Sequence, residues 1–168
     1  MKKMNDKGQQ GFSLIEMCMV VAIIAILAAT AIPLFGGFVD NRNLKSAARD
    51  IAGDIYAVRE RASSEDRWYQ ITFNSALNNY QIAQCSTIGS TCPGNVYNVL
   101  STKSPAAFGS GVRITGVNIN GGAVLQMQPR GIVNPATGGN LQLINGRAST
   151  ATVNVNLMGR TNVTWSLI

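Results

Sequence analysis

The sequence contains no histidine, and no aspartate or glutamate occurs after Asp66. Its acids are Asp6, Glu16, Asp40, Asp50, Asp54, Glu60, Glu65 and Asp66, all in the first part of the chain. A C-terminal portion without imidazole or carboxylate cannot assemble the usual acid/base pairs, nor a cluster of hard metal ligands. Catalysis is therefore not expected, and neither is a metal or an organic cofactor. Internal repeats, a phosphate-binding glycine loop and low-complexity segments are also missing. The acid-free part still carries Arg67, Lys103, Arg113, Arg130, Arg147 and Arg160, within a chain of net charge +6. Such a surface favours anionic partners or serves solubility alone.

Cysteine is scarce. Cys18 lies in an apolar run, whereas Cys85 and Cys92 flank a Ser/Thr/Gly loop ending in Pro93. That spacing predicts one local disulfide, the alternative being two unpaired thiols. A disulfide implies an oxidising compartment for this part of the chain.

The longest feature present is apolar. Leu14 to Ile32 is interrupted by Glu16 and Thr30 alone, and its length is close to the roughly 20 residues a helix needs to cross a bilayer. A secretory signal has a shorter apolar core with a small-residue cleavage site after it; here Ile32-Pro33 runs on into more helical pattern, so the segment is expected to stay in the mature protein. Lys2, Lys3 and Lys7 before the span are balanced by Arg42, Lys45 and Arg49 after it, so charge does not orient it. The expected disulfide does, placing the C-terminal part outside the cytoplasm. Glu16 is costly in such a segment, about 2.5 to 3.5 kcal/mol at the centre of a span and less near an end. It is either a functional acid or an interfacial one reaching the headgroups.

A basic leader, Gly11, then Phe12-Ser13-Leu14-Ile15-Glu16 and an apolar helix resembles the N-terminal signature of type IV pilins and type II secretion pseudopilins. The resemblance implies that a prepilin peptidase cuts after Gly11, that the new terminal Phe12 is N-methylated, and that Glu16 serves assembly. The amine created at Phe12 could neutralise Glu16 of a neighbouring subunit in a low-dielectric setting and fix axial register. The implied partners are other pilin or pseudopilin subunits, the peptidase and the inner membrane. The implied location is a single-pass inner-membrane protein with a periplasmic head, and a cell-surface filament after assembly.

Beyond Pro33, the positions Leu44, Ala47, Ala48, Ile51, Ile55, Val58 and Ala62 follow the i, i+3, i+4, i+7 spacing of one helix face. This amphipathic stem is predicted to reach about Ser64 and to pack on the head, with Pro33, Gly36 and Gly37 marking a kink or a stretch that loosens on assembly. The rest alternates like strands at Trp68–Phe73, Tyr80–Gln84, Val96–Leu100, Val112–Val117, Val124–Gln128, Leu141–Ile144, Val153–Leu157 and Val163–Leu167. Asn120-Gly121 and Asn145-Gly146 read as hairpin turns, and Trp165 as a core residue. The expected fold is α+β, a long N-terminal transmembrane and amphipathic helix packed on an antiparallel head of one or two sheets. Its parts are a leader at 1–11, a transmembrane half-stem at 12–33, an amphipathic half-stem at 34–66 and a β-rich head at 67–168.

This layout, with Gln128-Pro129-Arg130-Gly131 in mid-head and Gly159-Arg160 near the end, resembles the GspH/FimT group of minor pilins and pseudopilins. DNA-uptake pilins of the FimT kind carry Gly-Arg-x-Arg near the C-terminus. Here Gly159-Arg160-Thr161-Asn162 keeps only the first arginine. Arg130, Arg147 and Arg160 are thus the candidate DNA contacts, and the expected binding is weak and sequence-independent. The primary expectation is a structural subunit of a type IV pilus or a type II secretion pseudopilus, followed by a DNA receptor, and last by a surface enzyme or binding module on a pilin anchor.

Overall fold

The computed structural model describes residues 12–119, 121–135 and 137–168, with the side chains of residues 30–35 left aside. Its first element is helix α1, Leu14–Ser64, whose first turn contains Glu16 and whose last turn contains Arg61. An acid near the N-terminus and a base near the C-terminus both complement the helix dipole. Pro33, Gly36 and Gly37, where the sequence predicts a kink or a weak stretch, lie within α1. α1 closes as the Arg67 amide donates to the Ala62 carbonyl at 3.2 Å. Asp66 takes the left-handed conformation (φ 49°) that usually falls to glycine after a helix.

Among the described residues nine strands follow: β1 Tyr69–Asn74, β2 Asn79–Cys85, β3 Tyr97–Lys103, β4 Arg113–Ile119, β5 Val124–Met127, β6 Val133–Asn134, β7 Gly139–Ile144, β8 Thr150–Val155 and β9 Thr161–Ser166. They form two antiparallel sheets, one ordered β3-β2-β1-β5-β6 and the other β4-β7-β8-β9. Each strand predicted from alternation is present, displaced by a few residues at most. β6 escapes sequence reading because two residues hold no periodicity, and a cis Asn134-Pro135 bond follows at once.

The chain divides into two compact units, Met1–Gly37 and Phe38–Ile168. Within the second, the predicted stem stripe of Leu44, Ala47, Ala48, Ile51, Ile55, Val58 and Ala62 is buried in one apolar cluster. Tyr69, Ile71, Phe73, Leu125 and Met127 join it from the first sheet, and Ile114, Leu141, Leu143, Ala151 and Val153 from the second. Period-2 strands offer alternate residues to this cluster and the period-3.6 helix offers a stripe. Trp165 packs at the margin of the core, with the Arg49 guanidinium 5.9 Å from its ring centre.

Asn78 ties the two sheets together. Its side-chain amide donates to the Val112 carbonyl at 2.9 Å and its oxygen accepts from the Ile114 amide at 2.9 Å. The two Asn-Gly pairs behave differently. Asn145 opens a true β7–β8 hairpin, but through a loop in which its side-chain oxygen accepts from the amides of Arg147 and Ser149. At Asn120-Gly121 the flanking Ile119 and Gly122 exchange backbone hydrogen bonds at 3.0 and 2.9 Å, as in a tight turn, but the strands on either side, β4 and β5, belong to different sheets; Asn120 itself lies outside the described residues.

Candidate assembly segment and head surface

Gly11, the predicted cleavage position, lies outside the described residues. Phe12 is 80 % exposed, and Glu16 is exposed in the first turn of α1. Around them Leu14, Ile15, Met17, Met19, Val20, Val21, Ile23, Ile24, Ile26 and Leu27 are all exposed. Uncovered aliphatic surface on this scale marks an interface or a membrane-embedded segment. Among the described residues no helix is long and apolar enough to cross a membrane; the predicted span, Leu14 to Ile32, reaches into residues whose side chains are not described.

The head's cations are partly neutralised by the stem. Lys103 Nζ is 2.8 Å from Asp54 Oδ1 and 3.6 Å from Asp50 Oδ2. The Tyr80 hydroxyl donates to Asp54 Oδ2 at 2.6 Å. Burial, then the hydrogen bond and negative charge of Asp54, push ionisation of Tyr80 far above the ordinary phenol range. The Lys103 ammonium is held above its usual range, chiefly by its hydrogen bond to Asp54, with partial burial opposing. Arg147 Nε is 3.1 Å from Asp40 Oδ2, and Arg67 donates to the Cys85 carbonyl at 2.8 Å. One of the three arginines assigned to DNA is therefore already ion-paired with the stem.

The other two, Arg130 and Arg160, are exposed and stand on turns that converge. In the first turn the Gly131 amide donates to the Gln128 carbonyl at 2.8 Å, and in the second the Gly159 amide donates to the Asn156 carbonyl at 2.9 Å. Both glycines have positive φ, 70° and 67°. A Cβ on Gly159 would meet Arg59 Cδ at 2.9 Å and the Gly131 carbonyl oxygen at 3.3 Å, and one on Gly131 would meet Arg59 Cγ at 3.2 Å. The two glycines are thus needed both for backbone conformation and for close approach. The two turns, which carry Arg130 and Arg160, thus pack at Gly131 and Gly159 against Arg59 of the stem. Arg59 Nε is buried without a hydrogen-bond partner, and its Nη1 lies 3.1 Å from Glu60 Oε1. Sequence reasoning missed Arg59, since nothing in a helical repeat says which flank of the stripe meets a turn 70 residues or more downstream.

Cys85 and Cys92 form a disulfide, with Cα atoms 5.9 Å apart. Cys18 is free and exposed. Among the described residues no group of three or more histidine, cysteine or acidic side chains is placed to hold a metal ion.

Residues 6–32 match the prokaryotic N-terminal methylation motif. The fold is similar to that of the type IV minor pilin FimU of Pseudomonas aeruginosa, with a TM-score of 0.56 over 76 % of this chain and 92 % of that one at 16 % identity. The chain thus carries this motif near its N-terminus and a fold similar to that of minor pilins and pseudopilins. The minor pseudopilin EpsH from the type 2 secretion system of Vibrio cholerae gives a TM-score of 0.54, covering 74 % and 97 % of the two chains at 9 % identity. At such identities the likeness concerns the fold. In sequence, this pilin-like chain is 40 % identical over 60 residues to the fimbrial protein EcpC of Eikenella corrodens, a match over 36 % of this chain and 39 % of that protein. The matched proteins are filament subunits or their relatives, not enzymes.

Proposed function

We propose that this chain is a minor subunit of a type IV pilus or type II secretion pseudopilus. It is cleaved after Gly11 by a prepilin peptidase, N-methylated at Phe12, anchored in the inner membrane by the apolar start of α1, and assembled with other pilin or pseudopilin subunits through Glu16. The observation that carries this reading is an acid, Glu16, set four residues after Phe12 in an exposed aliphatic helix inside the matched motif. Water-exposed aliphatic side chains at this density need a cover, and lipid covers them before assembly as neighbouring helices do after it. A carboxylate within that cover needs a counter-charge, which the amine of another subunit's Phe12 supplies.

Two variants test it in cells with an active peptidase. Gly11→Val should accumulate as the full-length precursor, because a side chain at the residue before the scissile bond hinders close backbone approach. Glu16→Ala should be cleaved, remain in the membrane and keep a folded head, yet be absent from sheared filaments. Normal processing of the first, or normal incorporation of the second, overturns the corresponding assignment.

A second reading, a DNA receptor, draws on the exposed Arg130 and Arg160 of the acid-free head, which stand on two turns whose glycines both pack on Arg59. Arg147, held by Asp40, and Asn162, where FimT-like pilins carry an arginine, both count against it.

A further inference from the structure

Between Phe38 and Arg49 the stem carries a cationic groove that assembly through Glu16 does not use. Phe38, Asn41, Arg42, Lys45, Ser46 and Arg49 line an open hollow of about 350 Å³. Arg42, Lys45 and Arg49 are three and four residues apart, which sets them along one flank of the helix. Leu44, Ala47 and Ala48 between them face the core. Arg42 and Arg49 are exposed and Lys45 is half-buried. The Trp165 ring positions Arg49 without neutralising it.

The acids of this part of the stem have other partners. Asp40 pairs with Arg147, while Asp50 and Asp54 face Lys103 and Tyr80. Among the described residues no ion pair joins Arg42, Lys45 or Arg49 to an acid. Among the described residues the three cations share one hollow with no acid at ion-pair distance, beside the exposed ring of Phe38.

Position in the sequence selects the occupant. No charged residue occurs from Met17 to Val39; the groove begins where that run ends. In a chain leaving a bilayer, this order of apolar run, aromatic ring and then bases is the order of hydrocarbon, interface and headgroup phosphate. We propose that the groove binds the phosphate of an anionic phospholipid headgroup at the leaflet from which the head emerges. The inference rests on the reading that the start of α1 is embedded in the membrane.

The test uses the full chain reconstituted in lipid nanodiscs with trace spin-labelled phosphatidylglycerol or phosphatidylcholine. The expected result is a larger motionally restricted fraction for the phosphatidylglycerol label. The preference should fall about fivefold for each of R42Q and K45Q, and vanish in R42Q/K45Q/R49Q. Circular dichroism confirms that each variant is folded, and K45R, which keeps the charge, should keep the preference. Equal restriction of the two lipids, or an unchanged preference in the folded triple variant, overturns the proposal. So does displacement of the labelled lipid by millimolar inorganic phosphate, which would make free phosphate the ligand. Association of chains in phosphatidylcholine discs that the triple variant abolishes would assign the groove to subunit contacts instead and likewise overturn it. Alkaline extraction separates the two readings: a chain that resists extraction but shows no lipid preference sinks this inference alone, whereas a chain washed from the membrane sinks the anchoring reading as well.

Discussion

The Tyr80 hydroxyl and the Asp54 carboxylate, 26 residues apart in sequence, are joined by a 2.6 Å hydrogen bond, and Lys103 takes the other oxygen of the same carboxylate at 2.8 Å. A stem acid is thereby shared between a buried phenol on β2 and the last residue of β3. Tyr80→Phe removes the phenol's contribution while leaving the Lys103–Asp54 pair. Hydrogen bonds to charged groups contribute about 1.5 to 3 kcal/mol, so a urea melt should show a loss in that range. Asp54→Ala should cost more, since it removes the shorter contact of both Tyr80 and Lys103 and leaves them Asp50 at 3.2 and 3.6 Å.

Alkaline pH should loosen the head. Burial, then hydrogen bonding to Glu65, push the Tyr69 phenol up to about 12, and burial raises Tyr80 and Tyr97. Lys103 is raised by Asp54. A group whose folded pKa exceeds its unfolded value contributes stability that is complete below the unfolded pKa and lost as pH rises through the folded one. For phenols the window opens near pH 10 and closes above it, so urea midpoints should hold to about pH 9 and fall from pH 10 to 12. Tyr80→Phe should flatten that fall; an unchanged slope would remove Tyr80 from the account.

Reduction of the Cys85–Cys92 disulfide should destabilise the head without unfolding it. Closing a loop of this length contributes about 2.5 kcal/mol on the chain-entropy model, and the core cluster does not include either cysteine. Melts with and without reductant should differ by roughly that amount, and mass spectrometry of non-reduced protein should recover the linked peptide.

DNA binding, if present, should be weak and centred on the exposed Arg130 and Arg160 rather than on Arg147 or Arg59, which pair with Asp40 and Glu60. Each phosphate contact adds about 0.9 to the slope of log affinity against log salt. Two contacts therefore predict a slope near 2 and a Kd in the range of about 10 to 100 micromolar with short duplexes at physiological salt. Arg130→Gln and Arg160→Gln should each lower the slope by about one, and Arg59→Gln and Arg147→Gln should leave it nearly unchanged. Submicromolar affinity at physiological salt, lost in Arg160→Gln, would make the DNA receptor the leading function.

The sequence by itself determined the helical stem, its buried stripe and most of the strands, because those follow from local periodicity: Leu44 to Ala62 can present one apolar face only as a helix, and Val153 to Val155 alternates only as a strand. It also determined the Gly11-Phe12-Glu16 pattern and the disulfide, both set by short-range spacing. What tertiary structure decided is which charges meet. The acid-free head suggests an unopposed basic surface, yet Asp40 and Asp54 reach Arg147 and Lys103 from the stem. The convergence of the Gly131 and Gly159 turns on Arg59, and the groove of Arg42, Lys45 and Arg49, depend equally on which helix flank the sheets leave uncovered. Periodicity specifies a face, but ion pairing is a matter of ångströms between residues distant in sequence, and only packing of the stem against two sheets fixes those distances.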